Sequence, residues 1–566
     1  FFNDDVETTQ PDWIQNLIEP LENPDVGAVS PKLLYETGKI QHAGLVMGVR
    51  GLAGTAFHQR AADSTEHFNL AQSLRDVSAL SAACLALRRD DFFRVGGFDA
   101  VNTPIAHSDI DLCFKIREAG LRCVYTPFAT LSHAGHASIA VEEKKETRRG
   151  RNKASIYLLK RWARYTTHDP YFPDNMRDWL YSDSPTPIRM VARDRPQSVN
   201  LSRDLLFVSH DLSLSGAPMM LFHAAQWCQQ NGDFVVVMAP LGGRLTAKFQ
   251  EAGIPVIIDP LVDTGHESFA GFARDFDCIV ANTILSGAVV RAMRNENVPI
   301  AWWIHEPGSV GEHFIREDAR LRAALPLADM LITPSERTAT VYRPFSDRPT
   351  RCVRNAIPDP GWRRERNNGA GTRPLRFLLL ASVEPRKGQD VFVQALSLLP
   401  RELQEAARFQ IAGRILDPDF WPKIEAVAKT LKNFSVQGTL HHSEAIELMK
   451  ETDVIISASR DEAMPTITIL EAMSLGKALI ATTVGGAREV LVEGENALLV
   501  RPEAPEALAA AVRRLIEDPA LVSELGEKAR ATYEKNFTME RFGPEFREVI
   551  DEIMAARASG ATQRNS

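Results

Sequence analysis

The chain has 566 residues, 44% of them hydrophobic and 24% charged, and a formal net charge of −8. This is the composition of a folded protein too large for one core, and its acidic balance argues against nucleic acid as the main partner. Six cysteines (Cys84, Cys113, Cys123, Cys228, Cys278, Cys352) form no CxxC pair, which suits buried thiols in a reducing compartment better than disulfides or zinc, and no apolar stretch is long enough to cross a bilayer.

The chain opens on Phe1-Phe2-Asn3-Asp4-Asp5, which lacks a secretory leader pattern and reads as the end of a buried strand in a longer product. A helix start at Asp12-Trp13-Ile14 follows, then a strand from Val26 to Leu34 and apolar runs at Leu80–Leu87 and Leu121–Thr126. Residues 137–165 have apolar residues at helical spacing and predict a long helix. The oxygen-rich triplet Asn3-Asp4-Asp5 suits Mg²⁺ or Mn²⁺ bridging a diphosphate, though such triplets also fill ordinary turns. The run His107-Ser108-Asp109-Ile110-Asp111 places two carboxylates ahead of an amphipathic helix. One can serve as a general base and the other as a cap, or both can cap. His133 and His136 lie past the third apolar run, as metal ligands or as plain loop histidines.

Residues 166–200 carry five prolines (Pro170, Pro173, Pro185, Pro187, Pro196) among Asp and Ser, and predict a boundary or extended connection. The pattern then changes. Strand-sized apolar runs at Asp204–Ser209, Phe234–Met238, Pro255–Ile258, Cys278–Asn282 and Ile300–Ile304 alternate with helix-sized segments. A second series follows at Arg376–Leu380, Phe409–Ala412, Ser435–Gln437, Val454–Ser457, Ala478–Thr482 and Ala497–Val500. Both predict parallel sheets covered by helices, with a cleft at the carboxyl ends of the strands. Residues 502–557 read mostly as helix.

Polar or glycine-rich motifs fall near these strand ends. Ser215-Gly216-Ala217-Pro218 precedes a helix, where Gly216 lets backbone approach a ligand, although an ordinary turn reads the same. His305 in His305-Glu306-Pro307-Gly308 can orient a sugar hydroxyl or carry a proton, or be a satisfied core histidine. Arg386 and Lys387 lie beside a helix expected near Gln389, where two cations suit a diphosphate; a surface basic pair is the alternative. Glu462 lies in a loop after a strand, and Glu471 is expected to open a helix. As bidentate acceptors they suit vicinal hydroxyls, Glu471 those of a ribose and Glu462 those of a transferred sugar. Each charge-assisted bond is worth about 1.5–3 kcal/mol, so losing either glutamate should cost about tenfold to over a hundredfold in activity. A helix cap and an exposed loop residue are the competing readings. Gly485 and Gly486 can offer backbone N–H groups to phosphate, or form a plain turn.

Taken as a set, Ser-Gly-Ala-Pro at 215–218, His-Glu-Pro-Gly at 305–308, Glu-Pro-Arg-Lys-Gly at 384–388, Glu-Ala-Met-Pro at 462–465, Glu-Ala-Met-Ser-Leu-Gly at 471–476 and Gly-Gly-Ala-Arg-Glu at 485–489 resemble the retaining glycosyltransferases of family 4, with the GT-B fold. The resemblance covers about 203–557. It implies a nucleotide-sugar donor held by the second domain, a glycan or lipid-linked acceptor held by the first, and no required metal. Arg386 and Lys387 would hold the diphosphate, with Glu471 on the ribose, Glu462 on the donor sugar and His305 near the reacting carbon. This chain departs from the pattern twice. The family's paired glutamates usually stand one position closer than the nine separating Glu462 from Glu471, so the Pro465–Leu470 stretch must bulge or the helix must start shifted. Many members also carry an arginine where this chain has Ser382, which would leave part of its work to Arg386.

The N-terminal stretches Asn-Asp-Asp at 3–5, Asp-Trp-Ile at 12–14, Arg-Val-Gly-Gly-Phe-Asp at 94–99 and Ser-Asp-Ile-Asp-Leu at 108–112 resemble glycosyltransferase family 2, with the GT-A fold. That implies Asp5 as a metal ligand with Asn3 taking the place of the motif's first aspartate, His133 as the downstream ligand, and Asp109 as the base of an inverting transfer. The family's nucleotide-binding half, which would precede Asn3, is missing from this sequence, so the fragment is expected to bind donor poorly. The expected fold class is thus an α/β GT-B pair of Rossmann-like domains preceded by the C-terminal part of a GT-A domain. The expected segments are 1–165 partial GT-A, 166–200 linker, 201–365 acceptor-side domain, 366–535 nucleotide-sugar domain, and 536–566 a bracing helix with a flexible tail. By resemblance the setting is bacterial surface polysaccharide synthesis in the cytoplasm, with peripheral contact at the inner membrane face if the acceptor is lipid-linked. Competing readings are a sugar phosphorylase, which would depend on inorganic phosphate, a nucleotide-sugar epimerase, which would make no acceptor-linked product, and a non-catalytic glycan-binding protein, whose binding would survive loss of both glutamates.

Overall fold

Where strands are buried on both faces, near-continuous apolar runs replace alternation, and such runs form the centre of the sheet that matters most here. The computed structural model describes residues 1–134, 145–181, 186–193, 201–362, 373–462 and 465–564. Its chain divides into two compact units. One comprises Phe1–Leu212, Cys228–Val280 and Arg291–Val298; the other comprises Ser213–Trp227, Ala281–Val290 and Pro299–Ser566. These units cut across the segment 201–365, and the boundary expected at 365/366 falls outside the described residues.

The first unit holds a mixed sheet. Its longest strands, Val26–Leu34 and Arg122–His133, pair in parallel, and Val6–Glu7 and Arg75–Val77 add to the latter in the antiparallel sense. Helix Ser108–Glu118 buries Ile110, Leu112, Cys113, Phe114 and Ile116. Of the long helix expected over 137–165, residues 135–144 lie outside the described residues, and the rest is broken at Trp162 into Lys145–Arg161 and the short helix Ala163–Thr167. Within the same unit Asp204–Val208, Phe234–Ala239 and Val256–Ile258 run parallel, and Arg189–Val191 adds antiparallel to the last.

That last strand corrects the expectation of an extended linker over 166–200. Where it is described, the stretch packs: Phe172, Leu180, Ile188 and Met190 are buried, and Asp169 accepts a hydrogen bond from the Met47 backbone N–H at 2.8 Å. Large apolar residues spaced between the prolines supply the burial that composition alone hides.

The second unit carries a six-stranded, all-parallel sheet in the order Phe434–Gln437, Ala407–Ala412, Leu375–Leu380, Val454–Ser457, Ala478–Thr482, Leu498–Val500. One face packs on helices Gln389–Ser397 and Pro505–Glu517, which contribute Phe392, Leu396, Leu508 and Val512 to a common core. On the other face, Leu470, Ala472 and Met473 of helix Ile467–Ser474 pack with Met449, Tyr533 and Phe537. Ile300–Trp303, Met330–Thr333 and Thr350–Cys352 form a further parallel set in this unit. The final helix, Met539–Arg564, packs Phe542 and Phe546 against Trp303 at ring distances of 5.7 and 5.1 Å. Its Gly543 backs onto the Trp227 indole so closely that a Cβ would lie 1.9 Å from the ring. The helix continues to Arg564, where a flexible tail was expected.

All six cysteines are free thiols, five of them buried and Cys352 half-buried. Among the described residues no helix is long and apolar enough to cross a membrane.

Candidate functional site

In the second unit, strand ends bring sequence-distant charges together. Strand Val454–Ser457 leads into Ser459-Arg460-Asp461-Glu462, and strand Leu375–Leu380 leads into Glu384-Pro385-Arg386-Lys387-Gly388. Parallel neighbours end on the same edge, so the two loops meet. Glu462 Oε1 is bonded by the Lys387 ammonium, lies 3.2 Å from Arg386 and accepts from Ser459 Oγ at 3.1 Å. The Arg386 guanidinium also donates to Glu384 at 3.1 Å and to the Asp461 carbonyl at 3.4 Å. Ser382 donates to the same Glu384 oxygen at 2.7 Å, so among the described contacts Arg386 is the arginine that joins Lys387 on Glu462.

The close approach depends on Gly388. Its φ is +70°, and an added Cβ would meet the Ala458 carbonyl oxygen at 2.0 Å; only glycine relieves both the torsion and the clash. Arg460 stiffens the joint, bonding Asp390 at 2.8 Å and Glu503 at 2.9 Å, while its backbone N–H donates to the Arg386 carbonyl at 2.8 Å.

Glu471 does not open its helix, as the sequence reading expected. The helix Ile467–Ser474 begins earlier, capped by the Thr466 hydroxyl, which accepts from the Ile469 N–H at 3.4 Å. Glu471 therefore sits in the second turn and is buried at 7% exposure. Its Oε1 accepts from His442 Nε2 at 2.6 Å. Residues 463–464 of the Glu-Ala-Met-Pro motif lie outside the described residues.

The other expected residues are placed as follows. Gly216 is the first residue of helix Gly216–Gln230, 3.9 Å from Ile467 by its virtual Cβ. His305 follows strand Ile300–Trp303, its ring 4.5 Å from that of Trp303. Gly485 takes φ +51° and Gly486 caps the short turn Ala487–Glu489. Beyond it, Glu489 accepts from the Glu336 and Arg337 N–H groups at 3.3 and 3.0 Å, at the start of helix Glu336–Tyr342, where a carboxylate offsets the helix dipole. Ser309 Oγ bonds Asp461.

Three groups here escaped the sequence reading. His442 pairs with a glutamate 29 residues away and belongs to no short motif. Ser459, which precedes a quoted motif, gains a role through Glu462, and Glu384, which opens a quoted motif without an assigned role, gains one through Ser382 and Arg386. A fourth, Glu306, lies inside a quoted motif without an assigned role. Its Oε2 accepts from the Ile284 N–H at 3.0 Å and from the His305 N–H at 3.1 Å. Burial pushes its carboxyl up to about 7, against the pull of those bonds.

In the first unit, Asp5 Oδ1 and His133 Nε2 stand 3.0 Å apart, because Val6 pairs opposite His133 in antiparallel register. His133 Nδ1 is 2.5 Å from Gln41 Oε1. Asn3 is exposed, and its N–H donates to the Ala83 carbonyl at 2.9 Å. Among the described residues no group of three or more His, Cys, Asp or Glu is placed to hold a metal; His136 lies outside them. Neither Asp109 nor Asp111 caps the helix, correcting that expectation: both lie inside Ser108–Glu118, behind His107. Asp111 is fully buried, accepts from Trp162 Nε1 at 2.7 Å and pairs with Lys115 at 2.7 Å. Asp109 accepts from the Ala82 N–H at 3.3 Å, and burial raises its carboxyl above the usual range.

Residues 201–351 match the model of glycosyl-transferase family 4, and residues 362–532 that of glycosyl transferases group 1. An uncharacterized protein, y4gI, of Sinorhizobium fredii is 38% identical over 174 residues, 31% of this chain and 19% of its own length. The O-antigen biosynthesis protein RfbC of Myxococcus xanthus is 36% identical over 139 residues, 24% of this chain and 11% of its own. This chain thus spans a fifth or less of the length of these relatives. The crystal structure of Anabaena Alr3699/HepE in complex with UDP-glucose aligns with a TM-score of 0.54 at 21% identity, over 62% of this chain and 100% of that one. The two matched segments, 201–351 and 362–532, are a glycosyltransferase region of the family 4/5 kind with a GT-B-like fold.

Proposed function

We propose that this region moves a sugar from a nucleotide-sugar donor to a glycan or lipid-linked acceptor, with retention, in surface polysaccharide synthesis. The observation that carries the reading is the meeting of Lys387, Arg386 and Ser459 on one oxygen of Glu462. A diphosphate outcompetes a carboxylate for two cations, since it brings more charge and more acceptor oxygens. On donor binding Lys387 and Arg386 take the diphosphate, and Glu462 is released to accept sugar hydroxyls. Glu471 holds the ribose, Gly216, Gly485 and Gly486 let backbone approach the donor, and His305 orients the sugar. The bond from the anomeric carbon to the diphosphate oxygen breaks, and the bond to the acceptor oxygen forms on the same face. The acceptor proton passes to the departing diphosphate, so the step needs no protein nucleophile and no metal. The match to an O-antigen biosynthesis protein supports a polysaccharide product, and the UDP-glucose bound by the Anabaena protein makes UDP-sugars the first donors to test. The test is a screen of nucleotide sugars for binding and transfer, repeated on Glu471→Ala. Loss of both by at least about tenfold is expected; unchanged transfer by the variant sinks the reading, and the anomeric configuration of the product checks retention.

A second reading concerns residues 1–165, which we propose are part of an inverting, metal-dependent transferase of the family 2 kind. It is favoured by the apposition of Asp5 and His133. One oxygen and one nitrogen ligand fit a divalent cation that takes its remaining ligands from phosphate and water. Asp5 and His133, with Asn3 nearby, would hold Mg²⁺ or Mn²⁺, which would neutralise the leaving diphosphate. Asp109, its proton affinity raised by burial, takes the acceptor proton. A product with one linkage type only, unchanged by Asp109→Asn, would count against this.

A further inference from the structure

Resting on the reading of Glu471 as the ribose ligand, we propose that His442 belongs to the nucleoside site. It acts as the positioning residue that aims the Glu471 carboxylate and makes donor recognition depend on the ribose hydroxyls.

The two residues come from different helices that share one core. Helix His442–Glu451 sends Met449 into the cluster that contains Leu470, Ala472 and Met473 from the helix of Glu471, and Ile446 and Leu448 pack against it. Its first turn is pinned where the His441 N–H donates to Glu444 at 2.6 Å. Neither helix can shift without disturbing the other, so the 2.6 Å contact between His442 Nε2 and Glu471 Oε1 is fixed by packing. The Glu471 side chain is 10% exposed and the His442 side chain 39%. A ligand approaching this carboxylate therefore meets the imidazole beside it.

The chemistry follows from the inventory of lone pairs. With Nε2–H donating to Oε1, the Nδ1 of a neutral imidazole is an acceptor. Glu471 keeps the remaining lone pairs of its two oxygens for hydroxyl hydrogens, in a plane set by His442. A buried carboxylate held in this way is preorganised, so a diol gains its bonds without first ordering the acceptor. A deoxyribose leaves that carboxylate under-bonded, and a site built around a hydroxyl rejects the analogue lacking it.

The probes are UDP, GDP and ADP with their 2′-deoxy forms, titrated calorimetrically into the intact protein and into Glu471→Ala, His442→Ala and His442→Gln. Wild type is expected to favour the ribose form of its preferred nucleotide by about tenfold or more. His442→Ala should weaken that form about tenfold and lose the preference, whereas His442→Gln, whose amide N–H can reach the same oxygen, should recover most of both. Wild-type affinity in Glu471→Ala would overturn the ribose reading and this inference with it. A weakened Glu471→Ala alongside a His442→Ala that keeps affinity and preference would overturn the inference alone. So would a folded His442→Gln, judged by an unchanged thermal transition, that recovers nothing.

Discussion

Two carboxylate pairs look equally chemical in sequence and part company in structure. Asp109 and Asp111 stand two residues apart on one helix, and Asp111 is used up by near neighbours in the fold: Lys115 one turn on, and the Trp162 indole. Glu462 and Glu471 stand nine residues apart and each meets a partner brought by a different strand end or helix. A carboxylate satisfied one helical turn away, with no exposure, is holding the fold together. One whose counter-charges arrive from 75 residues away, on a loop beside its own, is, on the function proposed above, a place held for a ligand.

The contrast is most open to attack at Glu462. Glu462→Gln keeps the volume and a hydrogen-bond acceptor but frees Lys387 and Arg386 from their only shared counter-charge among the described contacts. Transfer should fall by about a hundredfold or more, while binding of the free nucleoside diphosphate stays level or tightens. Steady-state kinetics and calorimetry on one preparation separate the two. A parallel loss of diphosphate binding would mean that Glu462 only scaffolds the loop, as Asp111 scaffolds its helix.

Asp111→Ala should do the reverse. It strips the Trp162 N–H of its acceptor and leaves Lys115 without its ion pair in a mostly buried setting, a cost of about 2–4 kcal/mol. Denaturant unfolding of the first unit should report the loss, with nucleoside diphosphate binding unmoved. A smaller effect is expected for Gly388→Ala, where the positive φ and the contact with the Ala458 carbonyl cost about 1–3 kcal/mol. Since Lys387 and Arg386 directly precede it, diphosphate affinity should drop as well, by about tenfold; a melting shift without that drop would separate loop geometry from binding.

How much of this the sequence could reveal follows from the same contrast. The central strands of the parallel sheet, Val454–Ser457 and Ala478–Thr482 above all, are legible because burial on both faces writes them as apolar runs, whereas the edge strand Phe434–Gln437 is largely exposed; all six are bounded to within two residues. Thr350–Cys352 is not legible: it is a three-residue strand of mixed exposure with Arg351 at its centre, and its pairing with Met330–Thr333 supplies what its composition lacks. Arg189–Val191 is masked by prolines on either side. At the site, Arg386, Lys387 and Glu462 announce themselves by charge in loops after strands, and Glu471 by its motif. The start of the Glu471 helix is misjudged because the capping Thr466 directly follows a proline and reads as loop. His442 has no local signal at all, since its only distinction is the helix against which it packs.

Glu306 offers the finest version of the test, because it lies in a recognisable motif yet behaves partly as scaffold. Its carboxyl ties the chain after Asn282 to the chain after Trp303, beside Thr283, a β-branched residue held at φ +71°. With the folded value near 7 and an ordinary glutamate near 4.5, the native state binds the proton more tightly than the unfolded chain does. Stability from this group is thus full below the unfolded value and is lost as pH rises through about 7, by on the order of 1–3 kcal/mol. Thermal melting from pH 4.5 to 8 should show that slope, after correction for the rest of the titration, and Glu306→Gln should flatten it. Glutamine still accepts from both N–H groups, so transfer should change less than about threefold if the residue only positions His305. A collapse of transfer in a fully stable Glu306→Gln would move Glu306 from scaffold to chemistry, and with it the line drawn between the two kinds of carboxylate.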